Sequence, residues 1–149
     1  MTRDCKLTIV SPYISAFGRW KSIIEFSRFF MARHARPYTL ITRPPGPAGL
    51  TLDQAIKLCN MGIDLRIRTR PPLHSKIYLF KYDDGDYTAF IGSANLTLGG
   101  FKRNDETVAR FRFVSRKSEI LTEVQRLSEL GATPFENWKM KNRFDIKNQ

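Results

Sequence analysis

The order of apolar segments along the chain limits the folds that it can adopt. Residues 6–14 and 39–42 are apolar and rich in β-branched side chains, and residues 63–70 alternate apolar with charged ones, so all three predict strands. Apolar residues at helical spacing predict helices over 18–35 and over 51–62, the second opening with a capping box. Strands joined through helices pair in parallel, so this half of the chain predicts βαβ crossovers.

The second half of the chain predicts antiparallel pairing. Residues 73–82 and 87–95 both have strand character, and the sequence Asp83-Asp84-Gly85-Asp86 between them is typical of a hairpin turn. Residues 106–114 alternate again and predict another strand. Residues 115–130 predict a third helix. The later strands therefore add antiparallel pairs to a sheet that begins with parallel ones.

The element order β-α-β-α-β-β-β-β-α predicts an α/β fold, with a mixed β-sheet flanked by helices on both faces. A length of 149 residues suits a single domain over residues 1–149. The proline- and glycine-rich residues 44–49 predict a connecting loop; a PxxP sequence there also matches a partner ligand, the less favoured interpretation. No regular element is predicted for the basic tail, residues 138–149.

The charge balance indicates a polyanionic partner. The chain has 25 Lys and Arg residues against 14 Asp and Glu, a net charge of +11, so nucleic acid is the first candidate. An anionic membrane is the alternative, but the sequence has no polybasic amphipathic helix and no apolar run of membrane-spanning length. Two cysteines, Cys5 and Cys59, predict no disulfide framework and no metal site, so we expect a cytoplasmic protein without cofactor.

Basic residues at two places are candidates for binding nucleic acid. Arg66, Arg68 and Arg70 alternate with apolar residues and are predicted to share the solvent-facing side of a strand. They form either a solvated sheet face or a row of contacts to the phosphate backbone. Lys102 and Arg103 lie in a glycine- and charge-rich loop after the hairpin and are the second such place.

A histidine and a lysine two residues apart carry the strongest chemical signal. On an extended segment His74 and Lys76 point to the same face. The imidazole can attack phosphorus or transfer a proton, and the ammonium can neutralise a phosphate oxygen. Gly92-Ser93-Ala94-Asn95 follows on the predicted hairpin partner and adds small polar groups that a substrate can approach closely. The pattern predicts a metal-free phosphodiester site.

These residues resemble the signature of the phospholipase D superfamily, most closely its metal-independent, restriction-endonuclease-like branch. His74, Lys76, Gly92, Ser93 and Asn95 match it; the aspartate that the signature places after four further residues is replaced by Lys81. The resemblance implies a phospholipase D-like domain with His74, Lys76, Ser93 and Asn95 in its active site. It also implies that Glu106 supports the histidine, since a carboxylate on one ring nitrogen fixes the tautomer.

One signature copy implies a homodimer, because members of this superfamily carry two copies in one chain or one copy in each of two subunits. The resemblance then implies that one His74 forms a phosphohistidine while the other protonates the leaving oxygen. The expected function is a metal-independent nuclease, with DNA favoured over RNA. The alternatives are a lipid phosphodiesterase, a module that binds nucleic acid without cutting it, or a catalytic module that serves a separate recognition or helicase protein.

Overall fold

The described residues form one mixed sheet with helices on both faces. The computed structural model describes residues 4–15, 19–47, 49–93, 96, 107–113 and 118–143. Within these ranges the elements are, in chain order, β1 (Cys5–Val10), α1 (Ile23–His34), β2 (Thr39–Thr42), α2 (Leu52–Asn60), β3 (Asp64–Arg68), β4 (Ile77–Tyr82), β5 (Tyr87–Gly92), β6 (Val108–Phe113), α3 (Glu119–Glu129), β7 (Ala132–Pro134) and α4 (Phe135–Lys141).

The sheet contains seven strands in the order β6-β5-β4-β1-β2-β3-β7. β1, β2 and β3 pair in parallel, as their helical connections require, whereas β4, β5, β6 and β7 pair antiparallel with their neighbours. The predicted α/β class and mixed sheet are therefore confirmed. β1 lies in the centre of the sheet, and its pairing with β4 sets Val10 opposite Ile77.

Local sequence signals set several element ends. Ser22 and Thr51 cap α1 and α2 through their side-chain oxygens, and the predicted capping box between Thr51 and Gln54 is complete. Gly62 follows α2 with φ +88°, and Gly85 supplies φ +91° in the β4–β5 turn. Each signal acts over a few residues, so it can be recognised without knowing the tertiary structure.

Two apolar clusters fill the space between the sheet and the helices. On one face, Leu7, Ile9 and Leu40 pack with residues of α1 and α2 and with Phe135 of α4. On the other face, Val10, Ile41 and Ile77 pack with residues of α3. Successive residues of β1 alternate between the two faces, as strand geometry requires, so this central strand contributes to both clusters.

The structure moves several element ends from their predicted positions: β1 ends at Val10 and not at residue 14, and β4 begins at Ile77 and not at residue 73, so His74 and Lys76 precede the strand. α1 begins at Ile23, later than the predicted residue 18, because Ser22 is the residue that caps it. Cys5 is buried, and Cys59 is half-buried. The basic tail over 138–149, for which no regular element was predicted, begins inside the helix α4. Phe135 of that helix is 1% exposed in the core, and the short strand β7 precedes it.

Candidate active site at one edge of the sheet

The described residues of the predicted motif, His74, Lys76, Gly92 and Ser93, lie at one edge of the sheet. The parallel strands β1, β2 and β3 all end there, and β4, which runs the other way, begins there. Ser11 follows β1, and Lys76 precedes β4 at the same level, because Val10 and Ile77 are partners. The carboxyl ends of parallel strands commonly form the binding edge of an α/β sheet. We call this edge the motif edge.

His74 and Lys76 reach the motif edge on the segment that leads into β4. The carbonyl of Lys76 accepts a hydrogen bond from the Gly92 N–H at 3.3 Å, which extends the β4–β5 ladder by one residue beyond Ile77. Lys76 is 8% exposed, whereas His74 is exposed to solvent. The structure therefore presents an accessible imidazole two residues from a largely buried lysine.

The Gly-Ser part of the motif is held against the chain that enters β6. Ser93 N–H donates to the Thr107 carbonyl at 3.0 Å, and Thr107 N–H donates to Ser93 Oγ at 3.0 Å. A Cβ atom on Gly92 would lie 2.0 Å from the Thr107 carbonyl oxygen and 2.8 Å from Val108 Cα. Only glycine permits this close approach. Gly92 therefore allows the contact that positions Ser93.

Ser11 is a site-supporting residue that the sequence reasoning missed. It is fully buried, and its Oγ accepts a hydrogen bond from the Leu96 N–H at 3.0 Å while its hydroxyl donates to the Tyr13 carbonyl at 2.9 Å. Ser15 N–H donates to the Leu96 carbonyl at 3.0 Å. The end of β1 thus anchors the residue directly after Asn95. The Ser-Pro-Tyr sequence at the end of β1 was the available signal.

Lys81, which replaces the signature aspartate, lies far from the motif edge. It is five residues along β4 from Lys76, a separation of about 16 Å on an extended strand. It also lies on the opposite face of the sheet, since odd and even positions alternate. Its direct partner on β1 is Lys6, at the edge where β1 begins. The replacement therefore leaves the surroundings of His74 and Lys76 unchanged.

The structure corrects the predicted solvent exposure of the arginines of β3. Arg68 was predicted to face solvent but is 4% exposed, and its Nη2 donates to the carbonyls of Leu127 and Ser128 at 2.6 and 3.1 Å. The end of α3 covers this part of the sheet, and burial lowers the pKa of the Arg68 guanidinium. Arg66 is half-buried and binds Asp64 at 2.9 Å, a hydrogen bond that raises the pKa of Arg66.

Arg70 lies in the β3–β4 connection and is exposed. It is the member of the row whose position still fits the prediction of a nucleic-acid contact. Four other predicted site residues, Asn95, Lys102, Arg103 and Glu106, lie outside the described residues, although Thr107, next to Glu106 in sequence, bonds Ser93.

Neither a metal cluster nor a membrane helix is found in the described ranges. Those ranges contain no group of three or more His, Cys, Asp or Glu side chains placed to hold a metal ion. None of their helices is both long enough and apolar enough to cross a bilayer.

Both the sequence and the fold are similar to those of known proteins. Residues 59–128 match the family described as NgoFVII restriction endonuclease N-terminal PLD domain. The structure is similar to that of Nuc from Salmonella typhimurium, a phospholipase D family member, with a TM-score of 0.61 and 16% identity over 89% of this chain and 83% of that chain. No curated protein shows significant sequence similarity to the chain.

Both findings are similarities to phospholipase D proteins, the superfamily that the motif resembles: the sequence similarity covers less than half of the chain, and the structural similarity shows a shared fold. The segment similar to the restriction-endonuclease domain runs from the end of α2 into α3 and contains His74, Lys76 and Gly92-Ser93. The fold similarity extends beyond that segment to most of the chain.

Proposed function

We propose that the protein is a metal-independent nuclease that hydrolyses phosphodiester bonds of nucleic acid at the interface of a homodimer. The observation that carries the proposal is the motif edge, where exposed His74 stands two residues from buried Lys76, beside the Gly92-Ser93 turn held on Thr107. A lysine is rarely buried unless it is paired, and a phosphate oxygen is the partner proposed for Lys76. The family match and the net charge of +11 both favour a nucleic acid substrate.

The reaction is proposed to proceed in two displacements. A ring nitrogen of one His74 attacks phosphorus, a P–N bond forms, and the P–O bond to the leaving group breaks. The partner's His74, protonated at the start, gives its proton to the leaving oxygen. Water then attacks the phosphohistidine, the P–N bond breaks, and the second imidazole takes the proton from the water. The products are a phosphate monoester and an alcohol, and both rings return to their starting states.

The other motif residues are proposed to stabilise charge and hold geometry. Lys76 from each subunit, together with Asn95, neutralises the nonbridging oxygens on which negative charge builds up. Two lysines in this role supply the positive charge that a divalent ion provides in other nucleases. Ser93 positions the turn through its hydrogen bonds to Thr107. Glu106 is proposed to orient the His74 ring.

DNA is the favoured substrate, in line with the restriction-endonuclease family that residues 59–128 match. Arg70, Lys102 and Arg103 are proposed to bind the phosphate backbone, which would make affinity fall steeply with salt. A separate recognition or helicase protein is proposed as the source of any sequence specificity. A cytoplasmic location remains part of the proposal.

Cleavage of labelled DNA and RNA in the presence of EDTA tests the proposed activity. His74→Ala removes nucleophile and acid together and should lower turnover by several orders of magnitude. His34→Gln is the matched control, because His34 is the other histidine of the chain and packs on the Phe30 ring in α1. A covalent protein–phosphate adduct, stable to base and labile to acid, should form with the wild type and be absent from His74→Ala.

Mixing experiments test the shared site. If both His74 rings of a dimer are needed, an equal mixture of re-equilibrated wild type and His74→Ala should retain about a quarter of the wild-type activity, because about a quarter of the dimers are then fully wild type. A site complete within one chain would retain about half.

The alternatives make different predictions in the same assays. Phosphatidylcholine hydrolysis without DNA or RNA cleavage would indicate a lipid phosphodiesterase. Binding of an oligonucleotide with no cleavage at any pH would indicate a binding module. Turnover in His74→Ala comparable with the wild type would reject the catalytic assignment.

A further inference from the structure

A recess opens beside the motif edge. It has a volume of about 240 Å³ and is lined by the residues after β1 and β2 and by the loop that leads to α2, namely Pro12, Tyr13, Arg43, Pro44, Gly46, Pro47, Gly49 and Leu50. Pockets for drug-sized ligands are typically about 300–1,000 Å³, so this space suits a single ring system rather than a larger ligand.

Tyr13 and Arg43 form the polar side of the recess. Arg43 Nη1 donates to Tyr13 Oη at 2.7 Å, and its guanidinium carbon lies 5.1 Å from the centre of the tyrosine ring. Arg43 is exposed and Tyr13 half-buried. A guanidinium has five N–H donors, and Tyr13 accepts from one of them. An aromatic ring beside a partly engaged arginine is a pair that can hold a base and a phosphate together.

The loop on the other side of the recess is closed on itself. Gly46 N–H donates to the Leu50 carbonyl at 3.0 Å, and Gly49 N–H donates to the Gly46 carbonyl at 3.3 Å. Pro45 is buried. A PxxP ligand is read as an extended polyproline segment, and this loop is folded back on itself although Pro47 is exposed. The PxxP sequence is therefore better explained as the wall of the recess than as a partner ligand.

The recess lies close to the motif residues. Tyr13 is bonded through its carbonyl to Ser11, whose Oγ also holds Leu96, and Arg43 follows β2, the neighbour of β1. β1 separates β2 from β4, so the strand ends that carry Arg43 and Lys76 are two strand spacings apart, about 10 Å across the sheet. One bound nucleic acid strand can reach both.

We propose that the recess binds the nucleotide next to the scissile phosphate, with Tyr13 stacking on its base and Arg43 contacting its phosphate. The inference rests on the proposed nuclease function and adds a substrate-binding subsite to it. Stacking on an aromatic ring tolerates every base, so the subsite would position a strand rather than read its sequence. It would also require an unstacked base, which favours single-stranded or locally opened substrate at this position.

Binding is measured separately from cleavage, in the His74→Ala background, by fluorescence anisotropy of a labelled single-stranded oligonucleotide. Arg43→Gln should weaken binding roughly five- to 100-fold. It should also reduce the slope of log affinity against log salt concentration by about one. Arg36→Gln is the matched control: it removes the same charge from a half-buried arginine that pairs with Asp83 near the β4–β5 turn, at the opposite edge. It should change affinity less than twofold.

The tyrosine is tested with abasic oligonucleotides. Tyr13→Leu should weaken binding of the intact oligonucleotide roughly fivefold or more. The same substitution should have little effect on the affinity for an oligonucleotide that lacks the base proposed to stack on Tyr13. Tyr13→Phe keeps the ring and should bind as the parent does within about threefold, which separates stacking from a folding defect.

The outcomes distinguish this inference from the proposed activity. If the wild type cleaves nucleic acid but Arg43→Gln and Tyr13→Leu bind like Arg36→Gln, the subsite is refuted and the nuclease assignment stands. If the loop over 44–49 instead binds a polyproline-binding protein, the two variants would likewise leave the affinity for the oligonucleotide unchanged. If the two variants lose affinity while the wild type cleaves nothing, the subsite is supported and the proposed cleavage is refuted.

Discussion

Replacing Gly92 by alanine tests how closely β5 and β6 must approach for the motif edge to form. An added Cβ would lie 2.0 Å from the Thr107 carbonyl oxygen, and ordinary van der Waals contact begins at 3.4 Å, so the strands must separate by about 1.4 Å. The two Ser93–Thr107 hydrogen bonds, both 3.0 Å long, would then exceed hydrogen-bonding distance.

The expected cost of Gly92→Ala follows from these two effects. Each lost hydrogen bond costs about 0.5–1.5 kcal/mol, and overpacking adds about 1–3 kcal/mol. β6 is an edge strand and can move, so we expect the fold to survive with a loss of about 2–4 kcal/mol in the free energy of unfolding. Urea denaturation measures this loss, and the cleavage rate should fall with it because Ser93 is displaced.

Gly46→Ala is the matched control, since its Cβ would come no closer than 3.9 Å to the Pro44 carbonyl oxygen. Its unfolding free energy should change by less than about 0.5 kcal/mol, as for most substitutions without a steric conflict. If Gly92→Ala were as stable as Gly46→Ala and cleaved at the wild-type rate, the reasoning about this close approach would be wrong.

Three further predictions concern residues away from the motif. Lys81→Asp restores the signature aspartate but should leave the cleavage rate within about threefold of wild type. It should raise the free energy of unfolding by about 0.2–1 kcal/mol, because attraction to Lys6 replaces repulsion. A large gain in cleavage rate would contradict the placement of Lys81 far from the site. Arg68→Met should lower the unfolding free energy by about 2–4 kcal/mol, because it leaves carbonyls at the end of α3 without their donor; stability equal to wild type in urea titration would oppose this. Burial raises the thiol pKa of Cys5 and of Cys59, so alkylation of both should be slow near neutral pH and accelerate as the pH rises. Half-buried Cys59 should react before buried Cys5. Mass spectrometry that found Cys5 modified first would contradict this order.

The parts of the fold that follow from short-range signals were predictable from the sequence. The capping box at Thr51, the turn at Gly85 and the alternation of β3 each depend on a few neighbouring residues. β7 has three residues and α4 seven, too few for either to show a reliable period. Their place is set by pairing with β3 and by burial of Phe135, which local patterns do not reveal.

In the candidate site, too, features set by neighbouring residues were predictable and features set by distant contacts were not. His74 and Lys76 were recognisable because the spacing of two residues carries a chemical meaning on an extended segment. Arg68 was misassigned because the alternation identifies a shared face but not what covers it; the carbonyls that it binds are 59 and 60 residues away. Ser11 was missed for the same reason, since its partner Leu96 is 85 residues away.

The β4–β5 turn offers a practical route to following the protein in action. It lies at the opposite end of both strands from His74, and its Asp83 is exposed and ion-paired with Arg36. A dye, an affinity tag or a fused reporter inserted between Asp83 and Asp86 would therefore extend away from the substrate. Such a handle would let nucleic-acid binding and the proposed subunit exchange be recorded with His74 and Lys76 unchanged.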